Sequence, residues 1–327
     1  MEKTITRQMV LSVANKVGMS SKKILEILAI LQHGQAVDNN ELVRKTGVAR
    51  NVLNKLKQSW PRVFAPASDK TQLLPQAITG LGELWGDGWQ SDDSLWRVLD
   101  GEVGRKMLTI LDKYAHMRPE PNRAYDQFYA TRETVARRAE LLNFMDDVAG
   151  KRILFLGDDD WGSVGVGIQK QAEKVVALDV DKRMLGSIRQ LAELEKLEIE
   201  TESYDARDIL PAKLVGKFDV VFTDPPYTPA GVELFLARAV AALDPAKPTG
   251  RVYLCFGNSD RAKERFLPIY ELISKSGLMM RWVWDKFNRY QGAESIGSAS
   301  SLFVLETTPK TKALITGKNH ESIYTTN

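Results

Sequence analysis

The clearest chemical potential in this chain lies in carboxylates that end short apolar runs. The stretch FTDPPYTPAG, Phe222 to Gly231, places Asp224, Pro225, Pro226 and Tyr227 directly after an apolar run. For an amine to attack carbon beside a sulfonium, its nitrogen needs a free lone pair. A carboxylate and a backbone carbonyl can accept the amine hydrogens and aim that lone pair. Prolines stiffen such a segment and donate no competing N–H. Tyr227 offers an aromatic face to a base, or a cation–π face to an ammonium ion. Positioning and proton management would then supply most of the rate gain. Two acceptors fit: a nucleic-acid base receiving a methyl group, and a free polyamine receiving an aminopropyl group.

A second cluster narrows the choice. Gly157 is followed by Asp158, Asp159 and Asp160, then Trp161 and a glycine-rich run. Glycine lets backbone approach a cofactor closely. Three carboxylates stand where a pyrophosphate would need bare N–H groups, so phosphate binding is disfavoured. Adjacent acids raise one another's pKa, and a bound cation relieves that repulsion. One of the three can cap the following helix. About twenty residues on, Asp179, followed by Val180 and Asp181, is placed to hydrogen-bond ribose hydroxyls. Asp205, with Ala206 in YDARD, is placed to meet an adenine amino group. No basic partner for a methionine carboxylate is evident in GDDDW.

These residues need a scaffold that gathers strand ends. From Arg152 onward the chain alternates apolar runs and helical stretches: RILFLGD, KVVALDVD, IETESYDA, FDVVFTDPPY, RVYLCFGN, LMMRWVWDKF and SLFVLETT. Buried parallel strands read as such runs. The predicted fold is α/β, a class I methyltransferase-like (Rossmann-type) seven-stranded sheet. Its site should lie across the carboxyl ends of the first four strands.

Residues 1–80 read as a winged-helix-like domain, with helix-turn-helix spacing in NNELVRKTGVARNVLNKLKQSW and Asn39 or Asn40 as a cap. Arg50, Asn51 and Asn54 could read bases, but packing or dimerisation is the preferred role. Residues 81–122 read as a Trp- and Pro-rich connector, 123–306 as the catalytic domain and 307–327 as a flexible tail. Residues 1–70 carry 12 Lys/Arg and 5 Asp/Glu, which leaves the remainder at −4 within a net +3. A basic N-terminal piece thus precedes a mildly acidic body. Cys255 is the sole cysteine, and His33, His116 and His320 lack ligand spacing, so neither a disulfide nor a metal site is expected. The N-terminus has no apolar leader and no run approaches a membrane span, which predicts a cytoplasmic protein.

Taken together, DQFYATRETVARRAELL, GKRILFLGDDD, ALDVDKRML, FTDPPYT and FNRYQGAESIGSASSLFVLE resemble the branched-chain polyamine synthases, over roughly residues 120–306. Trp161 departs from the aliphatic residue expected after GDDD. The resemblance implies transfer of aminopropyl groups from decarboxylated S-adenosylmethionine to the secondary amine of spermidine, releasing methylthioadenosine. The decarboxylated donor is then a co-substrate, with no tightly bound cofactor. Asp159 and Asp224 would flank the acceptor nitrogen beside Pro225. Asp158 or Asp160 would pair with a remote ammonium, and Tyr227 would pack on the polyamine or donor chain. The resemblance adds Asp126, Gln127, Asn288, Glu294 and Ser295 to the pocket. A homodimer with a small-molecule polyamine ligand is expected, without nucleic acid or membrane. The alternative is an S-adenosylmethionine-dependent amino-methyltransferase acting on DNA or RNA.

Overall fold

The apolar spacing of residues 21–33 becomes helix α2 (Ser21–Leu31), preceded by α1 (Arg7–Val17). The computed structural model describes residues 4–46, 48, 50–67, 69–81, 84, 101–257, 263–291 and 299–325. They divide into two units: residues 1–98 with 144–146 and 247–249, and residues 99–143, 147–246 and 250–327.

In the first unit, Ser20 caps α2 by accepting from the Lys23 N–H at 3.4 Å. Ile24, Leu25, Ile27, Leu28 and Leu31 bury the apolar stripe that the spacing implies. Then follow β1 (Val37–Asp38), α3 (Asn39–Thr46), α4 (Arg50–Ser59), β2 (Lys70–Thr71) and α5 (Pro75–Thr79). The cap of α3 is neither Asn39 nor Asn40. Asp38 Oδ1 accepts from the N–H groups of Asn40 (2.8 Å) and Glu41 (3.1 Å). Asn39 is buried and accepts from Thr71 Oγ1. β1 pairs antiparallel with β2, and Phe64 bridges to Leu73. The winged-helix reading of this unit rests on that element order alone. Arg50 donates to Asn40 Oδ1, and Lys57 donates to the carbonyls of Ala67 and Lys70, so both cations have partners inside the unit.

The second unit opens inside the expected connector. Residues Glu102–Tyr114 form α6, whose Met107, Leu111 and Tyr114 are buried. Next is α7 (Arg132–Phe144), with Thr131 Oγ1 accepting from the Thr134 N–H at 3.3 Å. The seven expected strands follow: β3 (Arg152–Leu156), β4 (Lys174–Asp179), β5 (Glu200–Ser203), β6 (Val220–Thr223), β7 (Arg251–Phe256), β8 (Met279–Arg289) and β9 (Ala299–Glu306). They form one sheet in the order β5-β4-β3-β6-β7-β9-β8. β3 to β7 pair in parallel, and β9 enters antiparallel between β7 and β8. This is the predicted class I methyltransferase-like sheet.

Period-two alternation sends successive strand residues to opposite faces. Leu154, Leu156, Val176 and Leu178 pack with α10 (Pro229–Ala242) and α11 (Phe266–Lys275). On the other face, Ala177 joins α6, α7, α8 (Gly162–Gly167) and α9 (Lys182–Glu195). Each fully buried Leu or Ile contributes roughly 1.5–3 kcal/mol.

The C-terminal segment is packed rather than free. Arg238, buried on α10, donates to the carbonyls of Ala206 (2.9 Å), Ile315 (3.3 Å) and Gly317 (2.6 Å). A buried guanidinium requires acceptors, and the returning chain supplies two of them. Ile323 is 1% exposed, and its carbonyl accepts from Thr228 Oγ1 at 2.8 Å. Among the described residues no helix is long and apolar enough to cross a membrane.

Candidate active site

The carboxyl ends of β3 to β7 open onto one cavity of about 400 Å³. Its wall takes Leu156, Gly157 and Asp159 from the first strand end, and Leu178, Asp179 and Val180 from the second. Tyr204 and Ala206 come from the third, Asp224 to Tyr227 from the fourth and Gly257 from the fifth. Gly157 has φ +76°, and a Cβ there would stand 3.3 Å from the Phe235 ring. Both facts favour glycine at this turn.

The three consecutive aspartates have three different fates. Asp158 caps α8: Oδ1 accepts from the Gly162 N–H at 2.6 Å and Oδ2 from the Ser163 N–H at 3.0 Å. Burial raises its pKa to about 6 against those two bonds. Asp160 is buried in a cationic cradle. Its Oδ1 accepts from Arg118 Nη2 (2.6 Å) and the Ala130 N–H (2.8 Å), and its Oδ2 from Arg138 Nη1 (2.7 Å). Neither Asp158 nor Asp160 is among the residues that line the cavity, so the expected pairing of one of them with a substrate ammonium is corrected. Asp159 does line the cavity, and its side chain has no hydrogen-bond or ion-pair partner among the described residues. Burial first, then the charges of Asp160, Asp179 and Asp224, push its pKa well above the usual carboxylate range, with Arg118 opposing.

Trp161 follows with φ +60°, an uncommon backbone for a bulky residue. It is fully buried, and its indole N–H donates to Ser187 Oγ at 2.9 Å. The large side chain that departs from the expected pattern therefore anchors the acidic loop from below.

Asp224 faces the cavity but is already occupied. Its Oδ1 accepts from Tyr227 OH (2.9 Å), and its Oδ2 from Tyr290 OH (2.7 Å) and Arg138 Nη2 (2.7 Å). Burial, then the Asp224 charge, lifts both phenols well above the usual tyrosine range, so they stay neutral donors. Thr228 caps α10 by accepting from the Gly231 N–H at 2.9 Å, with Pro229 in the first turn. The DPPYT stretch is thus rigid at both ends.

At the other end of the cavity, Asp179 is buried, and its Oδ1 accepts from the Asp181 N–H at 2.7 Å. Burial, with Asp158 and Asp181 nearby, raises its pKa to about 7. Asp205 does not line the cavity; it is paired with Arg207 at 2.6 Å, and Tyr204 and Ala206 meet the space instead. Asp126, at φ +55°, lines the wall while accepting from the Thr325 N–H (2.7 Å) and Oγ1 (2.5 Å). Gln127 also lines it; its Oε1 accepts from the Asn122 N–H, and its Nε2 reaches Asp181 at 3.4 Å. Asn288 is not among the lining residues. It is fully buried between Arg138 and Ser300. Glu294 and Ser295 lie outside the described residues.

Sequence reasoning passed over Arg118, Arg138 and Tyr324, and Tyr290 falls within the loop from Asn288 to Ser295 that the resemblance placed at the pocket. Arg138 carried a usable signal. Its helical neighbours Val135, Ala139 and Leu142 are apolar, so a charge at that position faces inward. Among the described residues no cluster of three or more His, Cys, Asp or Glu is placed to hold a metal ion.

Known proteins resemble this chain in sequence and in fold. A family model described as the branched-chain polyamine synthase A C-terminal domain matches residues 106–326. An uncharacterized protein of Methanocaldococcus jannaschii is 29% identical over 99% of this chain and 83% of its own length. The N(4)-bis(aminopropyl)spermidine synthase of the same organism is 32% identical over 53% of this chain and 49% of its own length. The synthase of Thermus thermophilus is 31% identical over 59% of this chain and 54% of its own length, so the matches span about half of each synthase. The solved branched-chain polyamine synthase from Thermus thermophilus, in complex with N4-aminopropylspermidine and 5'-methylthioadenosine, superposes with a TM-score of 0.60 at 20% identity, over 98% of both chains. That likeness is one of fold. The family match covers well over half of the sequence, and the chain belongs to the branched-chain polyamine synthase family.

Proposed function

We propose that this protein transfers aminopropyl groups from decarboxylated S-adenosylmethionine to the secondary amine of spermidine or a similar polyamine. The observation that carries the reading is the charge of the cavity wall. Among the described residues, Asp126, Asp159, Asp179 and Asp224 line it against one guanidinium, that of Arg265. The decarboxylated donor is positive at its sulfonium and at its amine, and the acceptor is a polycation. An acidic cavity attracts both. The related synthases named above are consistent with this chemistry.

In this reading Asp179 accepts from the ribose hydroxyls, and Gly157 and Val180 lie along the nucleoside. Ala206, Tyr204 and Tyr324 flank the adenine. The acceptor nitrogen sits between Asp159 and the Asp224-Pro225 edge, with Tyr227 beside its methylene chain. A polyamine amine arrives as an ammonium and must lose a proton before it can attack. Asp159 takes that proton, because among the described residues it is the wall carboxylate whose side chain has no partner, and its raised pKa makes it a better base. The freed lone pair forms the new N–C bond as the C–S bond breaks. Sulfur keeps the electron pair, methylthioadenosine leaves uncharged, and the positive charge passes to nitrogen. The product ammonium still carries one proton. Once Asp159 has passed the first proton to solvent, losing the second to the same base restores an acceptor, and a second transfer leaves a quaternary nitrogen with no proton to lose.

The test is to incubate the protein with spermidine and each donor separately. Methylthioadenosine release from the decarboxylated donor, with branched polyamine formed, is expected. S-adenosylhomocysteine formation on DNA or RNA without any polyamine product would overturn the reading in favour of the methyltransferase.

A further inference from the structure

The four hydrogen bonds of Arg138 connect both carboxylate loops of the cavity with the far side of the sheet. It projects from α7, outside every strand-end motif, and is 3% exposed. Its Nε donates to Asn288 Oδ1 at 2.8 Å, and its Nη1 to Asp160 Oδ2 at 2.7 Å. Its Nη2 donates to Asp224 Oδ2 at 2.7 Å and to Tyr290 OH at 3.1 Å. One planar fork thus ties the loop after β3 to the loop after β6 and to the end of β8. Arginine stays charged when buried and matches two carboxylates at once, which lysine cannot do.

The cradle has a consequence for the acids around it. Asp160 and Asp224 have their facing oxygens filled by Arg138, with Arg118 and the phenols of Tyr227 and Tyr290 completing their shells. Asp159, the residue before Asp160, lines the cavity with Asp224, and its side chain has no partner among the described residues. It faces Asp160, Asp179 and Asp224 as like charges, Arg118 as a cation and the Tyr129 phenol. Arg138 itself faces Asp160, Asp224, Tyr290 and Cys255.

We propose that Arg138 is a positioning residue for the transfer: it occupies Asp160 and Asp224, so that the acceptor's proton has one destination, Asp159. The proposal rests on the aminopropyl-transfer reading above. Without the guanidinium, Asp160 and Asp224 lose the cation they share, and Asp159 is no longer the one open acceptor. The Asp224 edge also loses the contact that aims the acceptor.

The test compares wild type, Arg138→Met and Arg138→Lys in methylthioadenosine release over a pH series. Folded fraction is measured by circular dichroism at each pH. Wild type is expected to show an acid limb set by Asp159. Arg138→Met should move that limb to higher pH, because a cation is gone from beside the acidic loop. Arg138→Lys retains the charge but loses the fork, so kcat should fall on the order of 10- to 100-fold with the limb in place. Should Arg138→Met fail to fold, the lysine variant decides alone. Per folded molecule, wild-type kcat in Arg138→Lys overturns the proposal, as does an unmoved limb in a folded Arg138→Met. Wild type that is silent with the decarboxylated donor instead refutes the functional reading, and this proposal falls with it.

Discussion

Asp159→Asn separates catalysis from stability in opposite directions. The substitution keeps the shape of the side chain and removes the proton acceptor. Loss of a positioned general base lowers turnover by roughly 10²–10⁴-fold. Stability should move the other way. The Asp159 carboxylate stands among Asp160, Asp179 and Asp224, and burial already lifts its pKa well above the usual range. A group whose folded pKa is raised contributes stability at low pH and loses it as pH rises through the folded value. As pH rises, the wild-type carboxyl therefore costs stability that asparagine does not. Discounting for its partial exposure, about 1 kcal/mol is a reasonable gain, in the range known for relieved active-site strain. For a unit of this size that is a rise in Tm of about 2–4 °C. The gain should shrink as pH falls and the wild-type carboxyl takes up its proton. Differential scanning calorimetry at several pH values, beside the methylthioadenosine assay, measures both effects. Undiminished turnover would refute the base, and a lower Tm at pH 8 would refute the unpartnered carboxylate.

Two further predictions concern the ends of the cavity. Asp179, with its pKa raised to about 7, changes form across neutral pH, so KM for the donor should rise as pH falls below that value. Asp179→Asn should flatten this dependence and raise KM by about tenfold, the worth of one hydrogen bond to a charged acceptor; an unchanged profile from steady-state kinetics would exclude the ribose contact. Ile323→Ala removes the buried side chain that seats the C-terminal segment, and should cost about 2–4 kcal/mol. A thermal melt and limited proteolysis of residues 307–327 check this, and wild-type values for both would show that the segment is held elsewhere.

The inner strands were legible because burial on both faces leaves no room for polar interruption. RILFL and KVVALD read correctly as central strands. The helix starts at Thr131 and Asp38 followed local hydrogen-bond chemistry, although the second was assigned to its neighbours. The C-terminal segment was not legible, because its Thr- and Lys-rich sequence shows nothing of the carbonyls that Arg238 collects. Nor was the connector, where 102–114 packs as a helix on the sheet.

The acidic cluster shows why composition reaches only part of a site. Asp158, Asp159 and Asp160 are identical in type and adjacent in chain, yet one caps a helix, one faces the cavity and one lies between two arginines. Sequence supplies the count of negative charges, but function depends on which of them are compensated. Compensation here comes from Arg118 and Arg138, 41 and 21 residues upstream of the cluster's centre, and from the phenols of Tyr227 and Tyr290. A carboxylate is available as a base only when the buried cations around it are already taken by others. In this site the motif residues supply the acids, and residues outside every motif decide which acid can act.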